Sequence, residues 1–144
     1  MIPFAYIDSS VLLRIVLGQP DSLVEWPRIE SGVTSQLTRV ECLRTLDRIA
    51  LTERPDPSDI ARRRKLTLDL VSALDQVGLD QSILNRAADP FPTPVRTLDA
   101  IHLATAIRWS ASTGQPLVFA THDRQLATAA LASGFSLLGR SDDA

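Results

Sequence analysis

The sequence is poor in cysteine and histidine and has no long apolar run. It contains one cysteine and two histidines. A single cysteine cannot form an internal disulfide, and so few nitrogen and sulfur ligands do not favour a closed zinc site. No apolar run approaches the ~20 residues that a membrane-spanning helix requires, and the first residues, MIPFAYID, lack the basic region of a secretory leader. We therefore expect a cytoplasmic protein with no membrane association, in which Cys42 fills the core.

The chain also has no large excess of charge. Its 15 Lys and Arg residues and 17 Asp and Glu residues give a formal net charge of -2. A nucleic-acid partner would therefore have to be held by a local basic surface or by a bound metal. Hydrophobic residues make up 44% of the chain, which is enough for a core at this length. Because we find no repeat, low-complexity segment or linker, we predict a single domain over residues 1–144.

Strand and helix patterns alternate along the sequence. Short apolar or β-branched runs predict strands at residues 4–7, 32–35, 77–79, 117–120 and 135–138. Apolar residues at helical spacing predict helices at residues 11–17, 19–28, 36–51, 58–74, 81–88, 97–109 and 123–132. Strands that alternate with helices imply a parallel sheet covered on both faces. The sequence therefore predicts an α/β fold, a three-layer α/β/α sandwich with a mainly parallel sheet of about five strands.

Isolated acids fall where these strands end. Asp8 directly follows the first strand, and Asp123 comes shortly after the strand at residues 117–120. In open parallel sheets, ligands bind beyond the carboxyl ends of the strands. Asp99 lies near the start of a helix that is apolar on most sides, where a carboxylate needs a reason. Since Glu41 lies in the helix after the second strand, the four acids are candidates for one shared site.

A second interpretation explains the same acids as helix caps and surface charges, without a shared binding site. Thr97 is a suitable helix N-cap, and Asp99 would then be stabilised in the first turn by the helix dipole, by roughly 0.3 to 1 kcal/mol. Asp8 and Asp123 are also suitable caps. Glu41 shares a helix face with arginines and could form an ordinary solvated ion pair. The residues alone leave both interpretations open.

The histidines and Trp109 have ordinary explanations. His102 lies one turn after Asp99 and is able to donate a hydrogen bond to it. A core histidine bonded to a neighbouring carbonyl is the more frequent case, and we expect this for His102. His122 is expected to be a loop residue without a role, and Trp109 is expected to be a core residue.

Four segments carry a family resemblance. They are IDSSVLL at residues 7–13, TSQLTRVE at 34–41, LDAIHLATA at 98–106 and ATHDRQLATAA at 120–130. In order and spacing these segments resemble the motifs of PIN-domain proteins, and more specifically those of the VapC-type toxins of bacterial toxin–antitoxin pairs. Each motif alone is loose, but the combination is specific and covers essentially the whole chain.

The resemblance implies a metal-binding quartet of acids. In the family, the quartet consists of an Asp after the first strand, a helical Glu, an Asp that opens a helix and an Asp after the fourth strand. The matching residues here are Asp8, Glu41, Asp99 and Asp123. We expect Asp8 and Asp99 to be direct ligands, and the other two acids to complete the site or to orient water. Ser10 and Thr121 match the small polar residues of the family and are expected to donate hydrogen bonds to the ligands.

The activity implied by the resemblance is that of a metal-dependent endoribonuclease that uses Mg²⁺ or Mn²⁺. Such ions accept oxygen ligands and would relieve the repulsion among four carboxylates. The implied partners are an RNA substrate, a small antitoxin protein and a second copy of the chain in a homodimer. Two other classes remain open: a phosphatase or DNA nuclease that uses the same acids on another phosphate ester, and a non-catalytic binding module whose acids are only helix caps.

Overall fold

A computed structural model describes residues 1–139, and this part of the chain contains five β-strands and six α-helices. The strands are β1 (Ile2–Ile7), β2 (Ile29–Ser35), β3 (Asp75–Val77), β4 (Val118–Ala120) and β5 (Leu137–Leu138). The helices are α1 (Ser9–Val16), α2 (Gln36–Glu53), α3 (Pro57–Ser72), α4 (Gln81–Ala88), α5 (Thr97–Thr113) and α6 (Arg124–Ala132), with a short 3-10 helix at Trp26–Arg28. Within residues 1–139, no helix has the length and apolar character needed to cross a membrane.

All strand pairs of the sheet are parallel, and the strand order is β3-β2-β1-β4-β5. The chain first adds β2 and β3 on one side of β1 and then returns to place β4 on the other side. The strand order therefore reverses between β1 and β4, and a crevice for ligands is expected beyond the carboxyl ends of these two strands. The predicted α/β fold is confirmed.

The core lies on both faces of the sheet, because successive residues of β1 point in opposite directions. Tyr6 packs with Leu103 of α5, Phe119 of β4 and residues of α6 in one buried cluster. Its neighbours on β1 pack in a second cluster on the other face, which contains Ala5, Ile7, Val11, Leu12, Leu23, Cys42, Val71 and Ala120. The sheet is thus covered on both sides. Cys42 is fully buried, as expected of a core residue.

The predicted helix at residues 19–28 is wrong. Only Trp26–Arg28 forms a 3-10 turn, and Gly18 and Asp21 both adopt left-handed backbone angles, with φ of 65° and 60°. The segment has no continuous apolar face to pack, since Leu23 is buried while Val24 is 84% exposed. With no face to bury, a helix of this length gains little from tertiary packing.

Several element boundaries also differ from the predictions, among them those of β3 and α5. The third strand lies at Asp75–Val77, two residues earlier than expected, because it pairs with the end of β2 there. Thr97 is not the cap of α5: Arg96 occupies the N-cap position without a side-chain cap bond. The helix continues to Thr113 and ends at Gly114, whose φ of 69° suits glycine.

Candidate active site

Asp8 stands at the carboxyl end of β1 and is the N-cap residue of α1. Only 3% of the residue is exposed. Its Oδ1 atom accepts hydrogen bonds from the Ser10 hydroxyl at 2.6 Å and the Val11 backbone N–H at 3.3 Å, and the Thr121 hydroxyl donates to Oδ2 at 2.6 Å. Burial raises the pKa of the Asp8 carboxyl, although the charge of His102 and these three donors act in the opposite direction. The negative charge of Asp8 is therefore only partly compensated by its surroundings.

Asp80 shows that the same cap can be made at the surface. It begins α4 and accepts hydrogen bonds from the Ile83 backbone N–H at 2.9 Å and the Ser82 hydroxyl at 2.7 Å, but it is exposed. The hydrogen bond from the Ile83 N–H lowers the pKa of Asp80, whereas burial raises the pKa of Asp8. Because capping alone does not require a buried carboxylate, the position of Asp8 needs another explanation.

Two hydroxyl groups connect the ends of β1 and β4. The Ser10 hydroxyl oxygen accepts a hydrogen bond from the His122 backbone N–H at 2.9 Å, and the Thr121 hydroxyl oxygen accepts one from the Asp123 backbone N–H at 3.0 Å. Each hydroxyl also donates to a different carboxylate oxygen of Asp8. These bonds fix the orientation of the Asp8 carboxylate relative to the loop that precedes α6.

Asp99 and Asp123 approach each other where α5 and α6 begin, and Arg96 bridges them. The Nη2 atom of Arg96 lies 3.1 Å from Asp123 Oδ2, and its Nε atom lies 3.7 Å from Asp99 Oδ2. The other carboxylate oxygen of Asp123 accepts the Leu126 N–H at 2.9 Å and so caps α6. Side-chain exposure is 17% for Asp99, 27% for Asp123 and 73% for Arg96. A solvated cation thus lies between two largely shielded carboxylates.

The charge of Asp99 depends on the other acids. Burial, and next the charge of Asp123, raise the pKa of the Asp99 carboxyl to about 6. The charges of His102 and Arg96 lower this pKa, and the charge of Asp8 raises it. The three aspartates therefore interact electrostatically, which three independent helix-terminal residues on the surface would not do.

Glu41 is connected to the aspartates through a buried histidine. Glu41 Oε1 lies 2.5 Å from His102 Nε2, and the Tyr6 hydroxyl lies 2.7 Å from His102 Nδ1. Burial lowers the pKa of His102, but the hydrogen bond and charge of Glu41, followed by the charges of Asp8 and Asp99, outweigh it and raise the pKa. A protonated imidazole donates from both ring nitrogens, which matches these two acceptors. His102 therefore sets the orientation of Glu41 from the core of the protein.

These contacts correct the expectation for His102 and decide between the two interpretations that were open for Glu41. His102 does not bond a neighbouring carbonyl, because its partners are the side chains of Tyr6 on β1 and Glu41 on α2. Glu41 bonds to His102 rather than to an arginine of its own helix face, and Arg44 pairs with Asp47 at 3.0 Å. Trp109, expected in the core, is partly buried and packs at its edge.

The donor set fits a hard divalent cation. Three aspartates and one glutamate offer carboxylate oxygens, the ligands that Mg²⁺ and Mn²⁺ accept. In the part of the chain that the structure describes, no three Asp, Glu, His or Cys side chains are close enough to ligate one ion as they stand. Asp99 and Asp123 are bridged by Arg96, and Glu41 is held by a histidine. These residues would hold a cation if the bridging contacts were exchanged for metal–oxygen bonds.

Sequence reasoning did not single out Arg96 or Tyr6. A local signal for Arg96 exists, since a basic residue three positions before Asp99 can form an i,i+3 pair. Tyr6 lies on β1 two residues before Asp8, and a buried tyrosine hydroxyl requires a hydrogen-bond partner. That the partner would be His102 could not be inferred, because the two residues lie 96 positions apart.

Comparison with known proteins identifies the family of this chain. The sequence matches the model of the PIN domain over residues 5–142. Ribonuclease VapC46 of Mycobacterium tuberculosis is 32% identical over 139 residues, covering 94% of this chain and 97% of that protein. Ribonuclease VapC47 of the same species is 30% identical over 137 residues, covering 90% and 92%. A toxin–antitoxin complex from Klebsiella pneumoniae contains a chain of similar fold, with a TM-score of 0.58 and 18% identity over 87% of this chain and 90% of that chain.

Two findings define the class of protein. The parallel sheet carries acids where its strand order reverses, and the family model matches nearly the whole chain. The chain belongs to the PIN-domain family, and its relatives in that family are VapC ribonucleases. The family resemblance found in the sequence is confirmed.

Proposed function

We propose that this protein is a metal-dependent endoribonuclease that hydrolyses RNA phosphodiester bonds. The observation that carries the proposal is the placement of three shielded aspartates around the strand-order reversal: Asp8 after β1, Asp99 in the first turn of α5 and Asp123 just before α6. This chain aligns with more than nine tenths of the length of each of the two relatives named as ribonucleases. The proposal therefore concerns the whole domain. We further propose that residues 1–144 act as one domain in the cytoplasm.

In this proposal each acid has a role that follows from its surroundings. Asp8 is buried and held by two hydroxyls, and Asp99 is shielded and carries a raised pKa, so these two are the direct ligands of Mg²⁺ or Mn²⁺. Glu41 and Asp123 complete the site or orient the attacking water. Ser10 and Thr121 are the donors that keep both Asp8 oxygens in place.

The chemistry is hydrolysis of a phosphate diester. A divalent cation held by these acids would supply Lewis acidity, which stabilises negative charge on the phosphate and makes a water molecule easier to deprotonate. Water adds to phosphorus, the bond to the 3′ oxygen breaks, and that oxygen takes up a proton. The products are a 5′-phosphate and a 3′-hydroxyl. The chain's own contribution is to hold the ligands in a fixed geometry and to orient the water that attacks.

The biological role we propose is that of the toxin in a toxin–antitoxin pair. The VapC names of the relatives and the structural similarity to a chain of a toxin–antitoxin complex support this role. The expected partners are a small cognate antitoxin, which would cover the acidic crevice, and a second copy of the chain in a homodimer.

Cleavage of defined RNAs by the purified, antitoxin-free protein tests the activity. The assay compares Mg²⁺ or Mn²⁺ with EDTA on transfer RNA, ribosomal RNA and single-stranded DNA. Asp8→Asn is paired with Asp80→Asn, because both aspartates make the same cap and only Asp8 is buried at the sheet edge. We expect RNA cleavage that requires a divalent cation, falls at least about 100-fold in Asp8→Asn and is retained in Asp80→Asn.

Other outcomes identify the competing functions. Cleavage of DNA alone, or release of phosphate from small esters without RNA cleavage, would indicate a different phosphate-ester substrate for the same acids. No cleavage with any divalent cation, together with no effect of the cation on the melting temperature, would indicate a binding module whose acids are helix caps.

A further inference from the structure

Arg96 is placed differently from an ordinary surface arginine. It occupies the N-cap position of α5 but contributes no side-chain cap, and its guanidinium group instead reaches two acids that belong to different helices. Asp99 is on its own helix, whereas Asp123 is 27 residues away in sequence. Arg96 therefore contacts two of the four acids that we propose as the metal site.

The ion pairs that Arg96 makes with Asp99 and Asp123 can be broken at little cost in free energy. The arginine side chain is 73% exposed, so water stabilises its charge whether or not the ion pairs are formed. Exposed ion pairs contribute little net stability, whereas the carboxylates beneath it are shielded and need a counter-charge.

Arg96 also lies between two of the candidate metal ligands. No three candidate ligands within residues 1–139 are grouped closely enough for one ion, and Arg96 lies between the two that approach each other at the start of α5 and α6. Two cations cannot occupy the same small space without strong repulsion. A divalent ion bound by Asp99 and Asp123 requires the guanidinium group to leave.

We propose that Arg96 is an internal counter-cation that occupies the face of Asp99 and Asp123 in the metal-free protein and, once displaced by a divalent cation, binds a phosphate group of the RNA. This inference rests on the proposed function, because it takes the acids as metal ligands. Because Arg96 immediately precedes α5, a displaced guanidinium group remains near Asp99. Its planar set of donors matches phosphate oxygens.

The two halves of the proposal predict effects of opposite sign for one substitution. Arg96→Gln removes the positive charge that competes with the metal, so Mn²⁺ should bind more tightly. The same substitution removes a phosphate contact, so RNA should bind more weakly. If Arg96 only stabilised the fold, its substitution would not tighten the binding of one ligand and weaken the binding of the other.

Titration calorimetry with Mn²⁺, in the absence of RNA, tests the first half. Arg108→Gln is the matched control, since Arg108 is an exposed arginine further along α5. We expect the dissociation constant for Mn²⁺ to fall about ten-fold in Arg96→Gln and to change less than two-fold in Arg108→Gln. Equal or weaker Mn²⁺ binding by Arg96→Gln overturns the counter-cation role.

Steady-state cleavage at saturating Mn²⁺ tests the second half. We expect the KM for RNA to rise about ten-fold in Arg96→Gln, while kcat stays within about three-fold of the value for the unsubstituted protein. The KM of Arg96→Lys should lie between the values for Arg96→Gln and the unsubstituted protein. An unchanged KM overturns the phosphate contact. If the unsubstituted protein binds no Mn²⁺, the proposed metal site is refuted. The same holds if Asp8→Asn binds Mn²⁺ as tightly as the unsubstituted protein does. Normal Asp8-dependent binding with no effect of Arg96→Gln refutes the Arg96 proposal alone.

Discussion

Replacing Asp99 with asparagine should stabilise the metal-free protein, although Asp99 lies in the favourable first turn of a helix. Burial and the charge of Asp123 raise the pKa of the Asp99 carboxyl to about 6. An ionised Asp99 is therefore a cost to the folded state that the neutral amide avoids. If the residue were only a helix-terminal acid, its removal would instead lower stability by the roughly 0.3 to 1 kcal/mol of the dipole interaction.

The sign and the pH range follow from the raised pKa. Below about pH 4 the carboxyl of Asp99 is protonated in both the folded and the unfolded chain, and it carries no penalty. Between about pH 4 and pH 6 the unfolded chain ionises first, so the free energy of unfolding falls as the pH rises. Above pH 6 the whole penalty is present, because Asp99 is then ionised in the folded protein too.

The magnitude follows from the same shift. A displacement from about 3.9 to about 6 corresponds to at most about 3 kcal/mol, at 1.36 kcal/mol for each pKa unit. Since the side chain is not fully shielded, solvent screening reduces this to about 1 to 2 kcal/mol. For a domain of this length that is about 3 to 6 °C in the melting temperature.

Thermal unfolding in EDTA, at pH 4 and at pH 8, measures the effect. Asp99→Asn should melt at the same temperature as the unsubstituted protein at pH 4 and about 3 to 6 °C higher at pH 8. Asp69→Asn, which removes an exposed carboxylate from α3, should change stability by less than about 0.5 kcal/mol at both values. A lower melting temperature for Asp99→Asn at pH 8 would refute the electrostatic reasoning and return Asp99 to the role of a helix-terminal charge.

Three further substitutions test the packing around the site and the fold. Tyr6→Phe leaves Nδ1 of the buried His102 without its partner and should lower the free energy of unfolding by about 1 to 3 kcal/mol in urea titrations. Thr121→Val removes the hydrogen-bond donor to Asp8 Oδ2 and should also lower the free energy of unfolding by about 1 to 3 kcal/mol. An unchanged urea midpoint would show that this hydrogen bond does not contribute to stability. Gly114→Ala forces an alanine into a backbone with φ of 69° and should lower stability by about 1 kcal/mol without any effect on Mn²⁺ binding by calorimetry.

The fold could be predicted because its signals are local and repeat along the chain. Alternation of strands and helices defines a parallel three-layer architecture, and the three aspartates could be placed because each follows a strand or lies at the start of a helix. The prediction failed at residues 19–28, where apolar residues such as Leu23 and Val24 are present but share no face. Composition without periodicity was an insufficient basis for a helix there.

The interior of the site could not be predicted from sequence. His102 was expected to bond a carbonyl nearby, which is the common case, but its partners are 61 and 96 positions away. Glu41 was placed correctly on its helix, yet its bond to His102 depends on how α2 and α5 pack on the sheet. Local spacing determines which residues can meet on one helix and contains no information about contacts between helices.

Anomalous diffraction from crystals grown with Mn²⁺ would show whether Asp8, at the end of β1, and Asp99, at the start of α5, hold a divalent cation. We expect a manganese peak about 2.0 to 2.6 Å from carboxylate oxygens of both Asp8 and Asp99, with the guanidinium group of Arg96 turned away from Asp99. A map without a peak at these carboxylates, or with Arg96 still bridging Asp99 and Asp123 at saturating Mn²⁺, would contradict it.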